Sequence, residues 1–339
     1  MKQEAHSWIA VRAIALLDGT PGNEGLVDLL KPHVCEASVG AWIPDSTAVK
    51  SGGSATENHV FKMGPLAGPS ASRFVSPKAD LVKRLGPDRR MSKYLSDDVT
   101  LDSKWWSVPY KAEPLKPGYH LPNRAMALST MLRDLLLLGD KNIGKLVNRD
   151  PSFDQYLVQD ARTTEEAAAA SFFMLSHFLA DACMPCHSDG RNLSDYGNGL
   201  HKEWEESWSR LVVKDFKKDS LMKKGAVPTA CKAPDELLAL ARSKDAAFNV
   251  TFSTAPIPVI PAGRDVWMET VDVCRGSFAL ASIVAPPGAY PYNAPDARAP
   301  FSSVLDGKPI LGEMNAVIMH DAVLNTAIVW QDIWQAVKK

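Results

Sequence analysis

Two side-chain pairs, His177/Asp181 and His201/Glu205, each sit four residues apart in stretches that read as helix, with His187 between them. On a helix, residues four apart share one face, so each pair presents an imidazole nitrogen and a carboxylate oxygen side by side. The residues around the first pair are apolar: Phe178, Leu179, Ala180 and Met184. That face is therefore buried, and buried imidazoles and carboxylates must be paired or must ligate a cation. A lone His-x-x-x-Asp is ordinarily a helix-face pair. Two of them plus His187 within 29 residues restrict the chain to folds that bring helices together around polar ligands.

The wider pattern is helical. Apolar periodicity predicts a first helix over about Ser7–Leu17, ending at Asp18-Gly19, with His6 at its mouth. A second follows Pro122 through Met126, Leu128, Met131, Leu132 and Leu135 to Gly139. A third opens on Thr163-Thr164-Glu165-Glu166, in the manner of a capping box, and runs to about Cys183. Another covers about His201–Val213, and a closing helix covers residues 313–337. No segment carries the strand alternation that would build a sheet. Nine prolines between 255 and 310 (Pro256 through Pro309) predict that no long helix crosses that region, so 211–312 is expected to be a loop-rich elaboration. The expected fold is all-α: a single mostly helical domain over 1–339 with long irregular loops, its core completed by the closing helix.

Composition excludes little but excludes it clearly. Hydrophobic residues are 45% and charged residues 23% of 339, which is globular and not disordered. The net charge of -1 supplies no bulk basic field for nucleic acid. No apolar run approaches the roughly 20 residues that span a bilayer. Met1 to His6 is too polar for a signal peptide, so the chain is either intracellular or numbered as a mature form. Five cysteines are too few and odd in number for a disulfide framework. Cys183 and Cys186 form a C-x-x-C, read first as two small residues or a local disulfide, with a thiolate zinc site or a redox pair as the alternative.

Of eight histidines, five (His6, His59, His177, His187 and His201) join Asp45, Asp181 and Glu205 in one candidate ligand set; His33, His120 and His320 are read as ordinary histidines. This set resembles the trinuclear-zinc family of bacterial phospholipases C and fungal and plant S1/P1 nucleases. His6-Ser-Trp-Ile-Ala-Val-Arg-Ala-Ile is similar to that family's first-helix pattern, and His177 to His187 to its central metal helix and turn. The intervals of 14 from Asp45 to His59, 4 and 6 across His177, Asp181 and His187, then 14 and 4 to Glu205 resemble the phospholipase branch. The motifs cover roughly 1–60 and 165–210, the expected metal core.

The resemblance implies three zinc ions. One would be held by Asp45, His59, His177 and Asp181, and a second by His187, His201 and Glu205. The third would take His6, Asp181 as bridge, and the amine and carbonyl of residue 1, which is Met1 where the family has Trp. The spacing from Met1 to His6 is the one the nuclease branch uses. Clustered dications stabilise the negative charge of a phosphodiester transition state and lower the pKa of a bridging water toward about 7, and Asp45 is the candidate to orient or deprotonate that water. The expected reaction is phospholipase C hydrolysis of glycerophospholipid to diacylglycerol and a phosphorylated head group, at a membrane or micelle surface, in a secreted or periplasmic protein. The alternative is an S1/P1-type nuclease on single strands. A zinc-stabilised binding protein without turnover is a third reading. Ser46 and Thr56 stand where the phospholipase pattern has choline-holding aromatics, so no choline preference is expected. Trp105, Trp106, Tyr110, Tyr290 and Tyr292 are read as loop anchors or as a lipid-contacting rim.

Overall fold

Ala167 to Ala170 followed by Ser-Phe-Phe-Met-Leu leaves no polar face for solvent, and a helix that is apolar all round has to be central. In a computed structural model of the chain, the described residues are 1–36, 41, 43–45, 58–63, 120–138, 164–190, 200–215, 234–242, 248, 250, 252, 256–284 and 309–338. Among them this stretch forms helix α4, Thr164–Ala182, buried continuously from Ser171 to Ala182. The other helices, in chain order, are α1 Gln3–Asp18, α2 Glu24–Leu30, α3 Leu121–Leu138, the single turn α5 Pro185–Ser188, α6 Leu200–Asp215, α7 Pro234–Arg242, α8 Val266–Val284 and α9 Pro309–Val337. The described residues are mostly helical, with no strand and one isolated parallel bridge, Met63 to Asp189.

α4 packs against α3 and α9, and more lightly against α1 and α8; α1 packs along α9, α7 and α6. One apolar core joins them, with Trp8, Phe172, Phe173, Trp204, Trp208, Phe278 and Trp330 deep inside. Phe172 stands edge-on to Trp330 at 5.7 Å. As its sequence predicts, the closing helix enters this core: Met314 to Gln331 is buried throughout. A polar tie fixes its register, Asn23 donating to Gln331 at 2.8 Å, and buried Arg12 ties α1 to α7, donating to the Ala241 carbonyl at 2.6 Å while lying over Trp8. Gly25 leaves no room for a side chain, because a Cβ there would come within 2.8 Å of the Trp334 ring. No described helix is long and apolar enough to cross a membrane.

Three expectations need correction. The first helix starts at Gln3, so His6 lies inside it and is buried, not at its mouth; extended Lys2 is the N-cap, and the polar residues before Ser7 belong to the first turns. The closing helix begins four residues earlier than expected, at Pro309, because proline's fixed φ and missing N–H suit a first helical position. The region 211–312 is not simply loop-rich: it holds α7 and the 19-residue α8. α8 fits in the proline-free interval between Pro261 and Pro286, and the Asp265 carboxylate caps it by accepting from the Met268 N–H at 2.8 Å.

Candidate metal centre

The end of α4 supplies the hub. His177 and Asp181 share its inner face, with His177 Nε2 3.1 Å from Asp181 Oδ2. The chain then turns through Cys183 and Met184 into α5, which aims His187 back at the same carboxylate, Nδ1 to Oδ1 at 3.4 Å. Neighbouring elements hold that turn. Ser277 on α8 donates to the Ala182 carbonyl at 2.5 Å, and Lys62 to the Cys186 carbonyl at 2.5 Å. The 60–63 segment runs beside 187–190, with the Phe61 and Met63 N–H groups donating to the His187 and Ser188 carbonyls. This pairing carries His59 into the site, where its Nδ1 is 2.7 Å from Asp181 Oδ2 and 3.0 Å from His177 Nε2. α6 brings the second i, i+4 pair. His201 Nε2 lies 2.9 Å from His187 Nε2 and 2.8 Å from Glu205 Oε1. The start of α1 closes the ring: the Met1 amine is 3.0 Å from Asp181 Oδ1 and 2.8 Å from Glu205 Oε1.

Donor atoms thus converge in three groups: His59, His177 and Asp181; His187, His201 and Glu205; and His6, Asp45 and His177. The structure therefore brings all nine sequence-predicted residues, Met1, His6, Asp45, His59, His177, Asp181, His187, His201 and Glu205, to one place. The second group is the expected one. Asp45, expected with His59, His177 and Asp181, groups with His177 and with His6, and Met1 sits between the two halves, touching Asp181 and Glu205. Seven of the nine, all but the buried His6 and His177, line a cleft of about 680 Å³, along with Lys2, Gln3, Glu4, Val60, Glu206, Ser209 and Arg210.

The donor set fits metal ions. The Ala41 carbonyl, 2.7 Å from His177 Nδ1, can only accept, so Nδ1 carries the proton. In neutral His177 the Nε2 lone pair then faces Asp181 Oδ2, and a lone pair facing a carboxylate calls for a proton or a cation between them. The outer hydrogen bond fixing the tautomer is a regular feature of ligating histidines. Both ring nitrogens of His6 and Nδ1 of His187 are buried without a hydrogen-bond partner, which is costly for neutral imidazoles. Burial, with His177 and the Met1 ammonium nearby, holds His6 well below its usual pKa, and burial pulls His187 down to about 4. Burial would lower His177 too, but Asp181 and Asp45 outweigh it and raise its pKa, so in the metal-free protein a proton there takes the place of the cation that donors about 2.0–2.2 Å from a common zinc would share. Burial alone would raise Asp45, but His177 and the Met1 ammonium outweigh it and hold the carboxylate ionised.

Without metal, protons do the same work. Burial would depress the Met1 ammonium, but Asp181, Glu205 and Asp45 outweigh it and raise it from 8.0 to about 11. A raised folded-state pKa stabilises fully below the unfolded value and is lost as pH climbs through the folded one. The metal-free protein is therefore expected to lose about 4 kcal/mol of stability between roughly pH 8 and 11, measured by denaturant unfolding across that range. Chain acetylated at the N-terminus should lack this component; an identical pH profile in both forms would refute the assignment.

Other sequence readings resolve plainly. Cys183, Cys186 and Cys274 are buried and in no disulfide, so no local disulfide braces the turn, and burial pushes the Cys274 thiol up to about 12. His320 stacks on Phe252, and His120 meets Phe61 edge-on. Ser46, Thr56, Trp105, Trp106, Tyr110, Thr163, Tyr290 and Tyr292 lie outside the described residues. The sequence reading missed Ala41, Lys62 and Ser277. A backbone carbonyl such as that of Ala41 leaves no side-chain signal, and Lys62 and Ser277 act through carbonyls whose positions only the fold sets.

No protein-family model matches the chain, and no curated protein matches it. Among solved structures, the chain is similar to the crystal structure of Clostridium perfringens alpha-toxin from avian strain SWCP, with 11% identity and a TM-score of 0.42. The alignment covers 98% of this chain and spans 63% of the toxin's length.

Proposed function

We propose that this protein is a zinc-dependent phosphodiester hydrolase, acting as a phospholipase C that releases diacylglycerol and a phosphorylated head group from glycerophospholipids. The observation that carries the reading is the convergence of His59, His177 and Asp181 with His187, His201 and Glu205 in one place, joined by the Asp181 carboxylate and the Met1 amine. Imidazole with carboxylate is a borderline donor set that suits zinc over magnesium or calcium. His59, His177 and Asp181 would hold one ion, His187, His201 and Glu205 a second, and His6 with Asp45 or the Met1 amine a third. When bound, the ions would neutralise the phosphodiester and stabilise the charge that develops on it.

The chain's own residues supply orientation. Asp45 lines the cleft and stays ionised, so it accepts a hydrogen bond from the attacking water; its low pKa suits that role better than uptake of the proton. Lys2 and Arg210 edge the same cleft and offer donors to phosphoryl oxygens. Phospholipid at a membrane or micelle surface is the proposed partner, and a secreted or periplasmic setting follows from the family resemblance. The same donor set serves a second reading, an S1/P1-type nuclease.

Zinc-loaded protein offered phosphatidylcholine, phosphatidylethanolamine, phosphatidylglycerol and single-stranded DNA separates the two. Chelator-sensitive release of diacylglycerol is the expected result. Acid-soluble nucleotides without diacylglycerol would transfer the assignment to the nuclease, and neither product would end the hydrolase reading.

A further inference from the structure

Asn315 lies buried on α9, and its one side-chain oxygen accepts two hydrogen bonds from α6: from the Trp204 indole at 2.9 Å and from the Trp208 indole at 2.8 Å. Both indoles are themselves buried. We propose that Asn315 is a positioning residue for the metal pocket of His187, His201 and Glu205, fixing the roll of α6 about its axis so that His201 and Glu205 face His187. The proposal rests on the metal-centre reading above.

The geometry follows from helical spacing. At 3.6 residues per turn, Trp204 and Trp208 lie within about 40° of each other around α6, as do His201 and Glu205, and the two faces are centred about 60° apart. The indole face therefore sets where the ligand face points. A roll of about 10° moves a side-chain tip 5–6 Å from the axis by about 1 Å, whereas metal–ligand distances tolerate about 0.2 Å. Apolar packing of flat indoles permits sliding. Two N–H groups converging on one fixed oxygen do not, because a roll in either direction stretches at least one bond. An apolar residue at 315 would leave both indole N–H groups buried without an acceptor, and α6 would roll to find others. A carboxylate at 315 keeps an oxygen at that point.

The test uses purified zinc-loaded protein and a competing chelator, counting zinc retained per chain at each chelator concentration. In Asn315→Leu, one ion should leave at about 10–100-fold lower chelator concentration, the usual cost of removing an outer-shell partner, while the remaining ions stay at wild-type values. The ion lost should be the one missing from His201→Ala. Asn315→Asp should restore wild-type retention. Trp204→Phe, which keeps the ring and deletes one N–H, should weaken the same ion by a smaller factor and serves if Asn315→Leu does not fold. Uniform loss of all ions in step with thermal stability would mean a merely structural role and overturn the proposal, as would wild-type retention in Asn315→Leu or, failing that variant, in Trp204→Phe. Wild-type protein that holds no zinc would overturn the metal centre itself, a result separable from either.

Discussion

Asp181→Ala is expected to empty the centre of most of its metal and reduce phosphodiester hydrolysis by about 10³-fold or more, the rate equivalent of the several kcal/mol of charge stabilisation that bound ions supply. The expectation rests on position. Oδ2 meets His59 at 2.7 Å and His177 at 3.1 Å, while Oδ1 meets Met1 at 3.0 Å, His187 at 3.4 Å and His6 at 3.6 Å. Burial would raise this carboxylate's pKa, yet the Met1 ammonium, His187 and His177 hold it well below the usual range. Removing it strands a buried ammonium and disconnects the two halves of the site. In the metal-free state the loss of that buried pair should cost about 3–5 kcal/mol. Asp181→Asn keeps the shape but not the charge and should fall between. The measurements are zinc per chain by elemental mass spectrometry, kcat/KM on the preferred diester, and denaturant midpoints with and without chelator. Wild-type zinc content and rate in Asp181→Ala would sink the hub assignment.

Stripping the metal from the wild-type protein is expected to have the next largest effect. Activity should disappear and return on readdition of zinc. Stability should fall too, because ligands that bind only the folded state stabilise it by mass action: about 3–4 kcal/mol per ion at free zinc 100 to 1,000 times the dissociation constant. For three ions that amounts to a drop in Tm of about 10–20 °C. Helicity should survive, since α3, α4, α8 and α9 share an apolar core that extends well beyond the ligands. Affinity should fall with acidity as protons compete for the imidazoles. A protein whose Tm and activity ignore a chelator at equilibrium would not contain the proposed centre.

Several elements were legible before any coordinates. α3, α4, α6 and the closing helix have long apolar faces, and their spans match expectation within a few residues. α8 was legible in principle: Asp265 ahead of Val-Trp-Met is a start signal, and 24 proline-free residues follow Pro261. Proline density over the wider window obscured it. α2 is seven residues long, too short for periodicity to distinguish it from a loop. The start of α1 was misplaced because Gln3 to His6 carry no apolar pattern; that turn is helical because its residues pack into the site.

What the sequence by itself determined is local. Residue chemistry and a spacing of four placed an imidazole beside a carboxylate twice, since 3.6 residues per turn makes such pairs neighbours wherever the helix goes. Tertiary structure alone decided that Asp45 stands with His6, that the Met1 amine also reaches Glu205, and that Ala41 sets the His177 tautomer. Those contacts join residues up to about 200 positions apart. They depend on which helix faces pack together and how the 60–63 segment crosses the α5 turn, a sum of many weak apolar contacts that no short motif encodes.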